Sequence, residues 1–175
     1  MRTPDAGPDE HASLMTIDVE IADERWPTVL PDAGKLVERA AAAALGTDRK
    51  DDLVVLLAND AEVEDLNRRF RGKASPTNVL AFPAPRSGFG HLGDIAVALG
   101  VCEAEARAQN KALADHVQHL VVHGVLHLLG YDHQDDDQAD VMESREREVL
   151  GKLGVPDPYA ADRGSHMAQD NAHHG

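Results

Sequence analysis

A chain of 175 residues suits one domain with a real core, and 42% hydrophobic but only 3% aromatic residues make that core aliphatic. No apolar run approaches the roughly 20 residues that span a bilayer, which argues against a helical membrane protein. The formal net charge of −14 argues against a nucleic-acid partner until its distribution is considered. Between Leu66 and Gly93 there is no acid, yet Arg68, Arg69, Arg71, Lys73 and Arg86 all fall there. Compact local charge, rather than the total, decides whether a phosphate backbone can dock. The single Cys102 forms no intrachain disulfide, and the first residues lack the basic start and apolar stretch of a signal peptide. A cytoplasmic protein is expected.

Residues 1–14 are rich in Pro, Gly and acid and are expected to be a disordered extension, with Met15 a candidate start. Thr16–Ile21 alternates and predicts a strand. Pro31 and Asp32 open an amphipathic helix that turns Leu36, Val37, Ala40, Ala44 and Leu45 inward and stops at Gly46. Leu53–Ala58 is an apolar run of strand length. Asn59, with Glu62 three residues on, predicts a capping box and a helix whose Val63, Leu66 and Phe70 share one face. Gly72 to Pro76 predicts a turn, Asn78–Phe82 a strand, Pro83 to Gly90 a loop, and Asp94–Leu99 a fourth strand. Helices are expected over about 101–109, 113–129 and 137–150. From Ala160 to Gly175 a polar tail follows, and its His166, His173 and His174 are not expected to be ligands. The pattern predicts a single α+β domain over 15–159, with a small mixed four-stranded sheet packed by about five helices.

The strongest chemistry lies in His123-Gly-Val-Leu-His127-Leu-Leu-Gly-Tyr-Asp-His133. His123 and His127 are four residues apart, so one helix face presents both imidazoles at a spacing that a metal bridges. Gly130 suits the left-handed position that ends a helix, which returns His133 toward the first two. Three histidines make a zinc site with a fourth position open, the mark of a catalytic rather than a structural metal. Pairing of His119 with His123 is the alternative ligand choice. On a wheel of about 100° per residue, His116, His119, His123 and His127 lie within roughly 80°. Leu, Val and Ala fill most of the remaining perimeter, so the helix is buried and its histidines line a pocket. His119 is placed at the pocket mouth and His116 at the periphery. Zinc proteases of this spacing usually carry Glu after the first histidine as general base, but here that position is Gly124. The proton acceptor then comes from Asp132, Asp135 or the substrate phosphate. The run Asp135 to Asp137 also reads as the cap of the following helix.

These residues resemble the YbeY-type maturation factors of ribosomal RNA. The histidine motif carries the resemblance together with Phe70-Arg-Gly-Lys-Ala-Ser-Pro-Thr-Asn-Val-Leu-Ala-Phe-Pro83, Leu92-Gly-Asp-Ile95 and Leu153-Gly-Val-Pro-Asp-Pro-Tyr159. The match runs from Met15 to Tyr159. It implies a single-strand-specific endoribonuclease acting on ribosomal RNA, above all the 3′ end of the small-subunit RNA, and a role in ribosome quality control. It further implies a small-subunit ribosomal protein and an Era-type GTPase as partners, one zinc ion on His123, His127 and His133, and an essential arginine at Arg71. Arg71 also stands out by itself, because a guanidinium beside the Gly72 turn offers a permanently charged planar fork to a phosphate. Thr77 and Asn78 are expected to form the turn rather than touch substrate. Two rival functions remain: a zinc peptidase, and an assembly factor with a structural zinc.

Overall fold

The computed structural model describes residues 16–46, 52–73, 77–85 and 90–160. In chain order the elements are β1 (Ile17–Ile21), α1 (Arg25–Val29), α2 (Ala33–Leu45), β2 (Asp52–Ala58), α3 (Asp60–Arg71), β3 (Val79–Pro83), β4 (His91–Ala98), α4 (Leu99–Ala108), α5 (Leu113–Leu128) and α6 (Asp136–Leu153). The strands form one mixed sheet in the order β1-β2-β4-β3. Both β1 with β2 and β2 with β4 pair in parallel, whereas β3 lies antiparallel to β4 at the edge. The expected α+β class with a mixed four-stranded sheet is therefore the observed one.

Alternation along the strands explains the two sides of the sheet. Leu53, Val55 and Leu57 of β2 and Ile95 and Val97 of β4 join the main core with α2, α5 and α6. Val54, Leu56 and Ala96 face the other way, where a smaller cluster of Ala58, Val63, Leu80, Ala96 and Ala98 is covered by α3 and by Val101 of α4. Helix α5 is the central strut, touching α2, α4, α6, β3 and β4. Buried all along Val117, Leu120, Val121, Val122, Val125 and Leu126, it has no solvated face to give to the histidines. Among the described residues no helix is long and apolar enough to cross a membrane.

Several boundaries differ from expectation. A sixth helix, α1, was not foreseen; its five residues are too few to show a periodicity. It exists to place Trp26, which is fully buried and donates its indole N–H to the Ala58 carbonyl at 2.9 Å. The last strand starts at His91 rather than Asp94, since β2 and β3 hold it from both sides. The capping box at Asn59 and Glu62 is present, with N–H donations of 2.8 and 3.1 Å. Phe70, however, leaves the inner face that Val63 occupies: it is 63% exposed, at the last turn of α3. The tails at 1–14 and 161–175, Met15, Arg86, and parts of the 72–76 turn and 83–90 loop lie outside the described residues.

Candidate active site

The histidine helix ends where the motif requires. Backbone bonds from Gly130 to His127 and from Tyr131 to Leu126, both 3.0 Å, close the end of α5. Gly130 adopts φ 105°, a conformation that costs an L side chain dearly, and the chain reverses there. The Asp132 carboxylate accepts the His133 backbone N–H at 2.7 Å and pins the returning segment. As a result, the candidate ligand nitrogens of His123, His127 and His133 all lie within 4.8 Å of one another. A tetrahedral zinc ion about 2.1 Å from each nitrogen would hold them about 3.4 Å apart, so the imidazoles would need to draw in by on the order of 1 Å. His119 stands one turn back and outside this triplet, with its ring centroid 6.3 Å from that of His123.

Behind the triplet stands a carboxylate that sequence inspection missed. Glu146, on α6, is fully buried, and its Oε2 accepts from His123 Nδ1 at 2.5 Å. The Tyr159 hydroxyl donates to its other oxygen, and His119 Nε2 lies 3.6 Å from that same atom. Burial opposes ionisation of Glu146, but the nearby His119 ring and hydrogen bonds from His123 and Tyr159 together outweigh it and pull its pKa down to about 2. An ionised carboxylate only accepts, so His123 carries its proton on Nδ1 and leaves Nε2 free for a metal. Burial, and then repulsion from His123 and His133, hold the His127 pKa below its ordinary value. Neutral imidazoles are what a metal needs, and this donor set of three nitrogens fits zinc. A signal for Glu146 was present: with Met142, Val149 and Leu150 it lies on the buried stripe of α6, the one charge among apolar neighbours. Tyr159 comes from beyond α6, and burial together with Glu146 pushes its phenol pKa up.

The other wall of the site is β3 with the end of α3. A cavity of about 420 Å³ is bounded by His119, His123, His127 and Tyr159 on one side and by Arg71 and Ala81 on the other. Arg71 is held by donating to the Ala81 carbonyl at 2.6 Å, with its guanidinium over the Phe82 ring at 5.5 Å. The remaining cations of the acid-free stretch do not all point here. Arg68 and Arg69 turn back onto Asp65 at 2.5 and 3.2 Å, and Lys73 is exposed. Asn78 does touch the cavity, but its side chain donates to Glu105 at 2.9 Å and its carbonyl accepts from Ala98.

Gly124 explains the missing glutamate: a Cβ there would sit 3.1 Å from Ile95 Cδ1, so the position is packed onto β4. Neither Asp132 nor Asp135 lines the cavity. Asp135 instead caps α6, accepting from Gln138 N–H at 2.8 Å. His116 does not line this cavity and is buried, with Nε2 2.8 Å from Glu105. Its place is set by α4 packing on α5, a contact the helical wheel does not contain. Cys102 is fully buried, and burial raises its pKa, which leaves it an inert thiol.

The family model described as Endoribonuclease YbeY matches residues 18–154. The chain belongs to the YbeY endoribonuclease family. A family member from Maricaulis maris, named Endoribonuclease YbeY, is 50% identical over 151 residues, covering 83% of this chain and 92% of that protein. Another of the same name, from Paracoccus denitrificans, is 45% identical over 156 residues, covering 82% and 89%. A solution structure from Thermotoga maritima superposes with a TM-score of 0.52 at 26% identity, covering 81% of this chain and 95% of that one. The family match takes in both walls of the cavity, although Tyr159 lies past its end.

Proposed function

We propose that the chain is a zinc-dependent endoribonuclease that cleaves single-stranded ribosomal RNA, above all at the 3′ end of the small-subunit RNA. The observation that carries this proposal is a cavity walled on one side by His123 and His127, two of the three converging imidazoles, and on the other by a fixed guanidinium. One zinc ion per chain, held by His123, His127 and His133, would supply Lewis acidity toward a phosphoryl oxygen and a more acidic water.

This chain's own groups do the rest. Glu146 holds the His123 tautomer and orientation, and Tyr159 and His119 hold Glu146. Arg71 is held on the opposite wall by Ala81, where its fork neutralises charge that builds on the phosphate oxygens in the transition state. With Gly124 packed on Ile95 and both nearby aspartates used for capping and turn closure, no carboxylate among the described residues stands where a zinc protease keeps its base. That favours a phosphodiester, whose own oxygens accept a proton, over a peptide. A single strand bends a phosphate into a recessed site, whereas a duplex presents a stiff backbone. Family membership supports the further roles in ribosome quality control, in the cytoplasm, with the small ribosomal subunit, a small-subunit ribosomal protein and an Era-type GTPase as partners.

The test sets single-stranded ribosomal RNA fragments, a matched duplex and casein against one zinc-loaded preparation, with and without chelator. Internal cleavage of the single strand alone, stopped by chelation, is expected. Casein digestion without RNA cleavage would establish a peptidase, and firm ribosome binding without turnover an assembly factor.

A further inference from the structure

The chain has only three phenylalanines, yet it leaves Phe70 63% exposed at the end of α3. The ring is not used by the apolar cluster beneath that helix, which packs Leu66 and Phe82 but not Phe70. Instead Phe70 meets Phe82 edge to face, with ring centroids 5.6 Å apart and planes at 62°. Each ring carries its own guanidinium: Arg69 lies 5.5 Å from the centroid of Phe70, and Arg71 lies 5.5 Å from that of Phe82. Arg71 belongs to the wall of the histidine cavity, so the series Arg71, Phe82, Phe70, Arg69 leads out of it. It leads to a second cavity of about 550 Å³ on the other face of the sheet, bounded by Phe70, Phe82, Leu56 and Leu66. Pro83 lines both cavities, which makes them neighbours across the β3 edge.

We propose that Phe70 and Phe82 form a nucleobase-stacking subsite, which receives a base next to the cleaved phosphate as single-stranded RNA leaves the histidine cavity over β3. The inference rests on the endoribonuclease function proposed above. An exposed aromatic side chain with guanidinium groups over the paired rings suits a nucleobase with a phosphate on either side, because stacking is sequence-tolerant and the cations take the backbone. Arg68 and Arg69 share the single carboxylate of Asp65, so this corner keeps a positive surplus on an otherwise acidic chain. Glu20 and Asp94 lie at the other side of the second cavity. They repel phosphate, so the base rather than the backbone enters. A protein partner with an apolar anchor would find the same groove, but it has no need of the paired arginines.

The experiment measures kcat and KM of the zinc-loaded full chain on a single-stranded ribosomal RNA fragment. It repeats them on the same fragment with one abasic ribose moved stepwise around the cleavage site. Phe70→Leu keeps apolar bulk and removes the π-face, and it should raise KM about tenfold with kcat little changed. Phe70→Trp should restore the parental KM. One abasic position should cost the parent a similar factor and cost Phe70→Leu nothing further. A parental KM in Phe70→Leu, or an abasic penalty identical in parent and variant at every position, overturns the subsite. Unchanged RNA kinetics with lost binding to ribosomal particles would overturn it in favour of a protein-docking face. A parent that cuts no RNA would instead sink the function itself, and the subsite with it.

Discussion

The two walls of the cavity are built on different principles. The histidine wall is made of α5 and α6, and its supporting carboxylate is fully buried with both oxygens engaged. The arginine wall is made of an edge strand and a helix end, and Arg71 is held there by one backbone acceptor and one ring face. Metal ligands lose affinity when their orientation is left free, so burial and a hydrogen-bonded outer shell belong on that side. A group that must grip a flexible polyanion works from an accessible position, where its charge is reached without burying it. The contrast teaches that this site is buried and hydrogen-bonded where its imidazoles could hold a metal and more open where Arg71 stands.

The sharpest test of the rigid wall is His127→Ala, which should lose essentially all bound zinc and all RNA cleavage, as elemental analysis and a cleavage assay would read. His116→Ala should keep the zinc while lowering the melting temperature, because His116 packs and bonds to Glu105 outside the triplet. Full zinc in His127→Ala would move the metal off this wall altogether.

Next in size comes the open wall. Arg71→Ala should fold and bind zinc as the parent does, yet cut on the order of 100 to 1000 times more slowly. Arg71→Lys should recover only part of that, since the planar fork is lost. Loss of zinc in Arg71→Ala would show that the two walls are not independent.

Glu146→Gln probes the support of the histidine wall rather than its ligands. Zinc affinity should fall about 10- to 100-fold in a chelator competition, while Arg71-dependent RNA binding at saturating zinc stays near parental. The smallest effect is expected at the bend: Gly130→Ala forces an L side chain to φ 105° and should cost about 1–2 kcal/mol in denaturant unfolding. An equal stability in Gly130→Ala would mean that the segment carrying His133 relaxes without penalty.

Much of the rigid wall was legible in the chain, because its signals are local. The spacing of His123 and His127, the stop at Gly130 and the return to His133 are set by helix geometry within eleven residues, and the capping box at Asn59 is set within four. Periodicity and turn chemistry act over such distances whatever the rest of the molecule does. Alternation and apolar runs likewise marked all four strands, although not their order.

Other features were decided only by tertiary structure. Glu146 reaches His123 from 23 positions away and Tyr159 in turn bonds Glu146, and a glutamate on a helix reads as a solvated charge until the helix is seen packed. Trp26 makes a five-residue helix worth forming only because a buried pocket and the Ala58 carbonyl await it. Phe70 follows the inward period of α3, but at the last turn its ring meets Phe82 edge to face beside an open cavity and stays exposed. Arg71 and the histidines are neighbours because β3 folds back beside β4 at the sheet edge, beneath α5. The chain alone thus determined the metal motif and its bend, through backbone geometry that is nearly the same in any setting. Which carboxylate supports that motif, and which arginine faces it, depended on contacts between distant segments, which exist only once the core has chosen its packing.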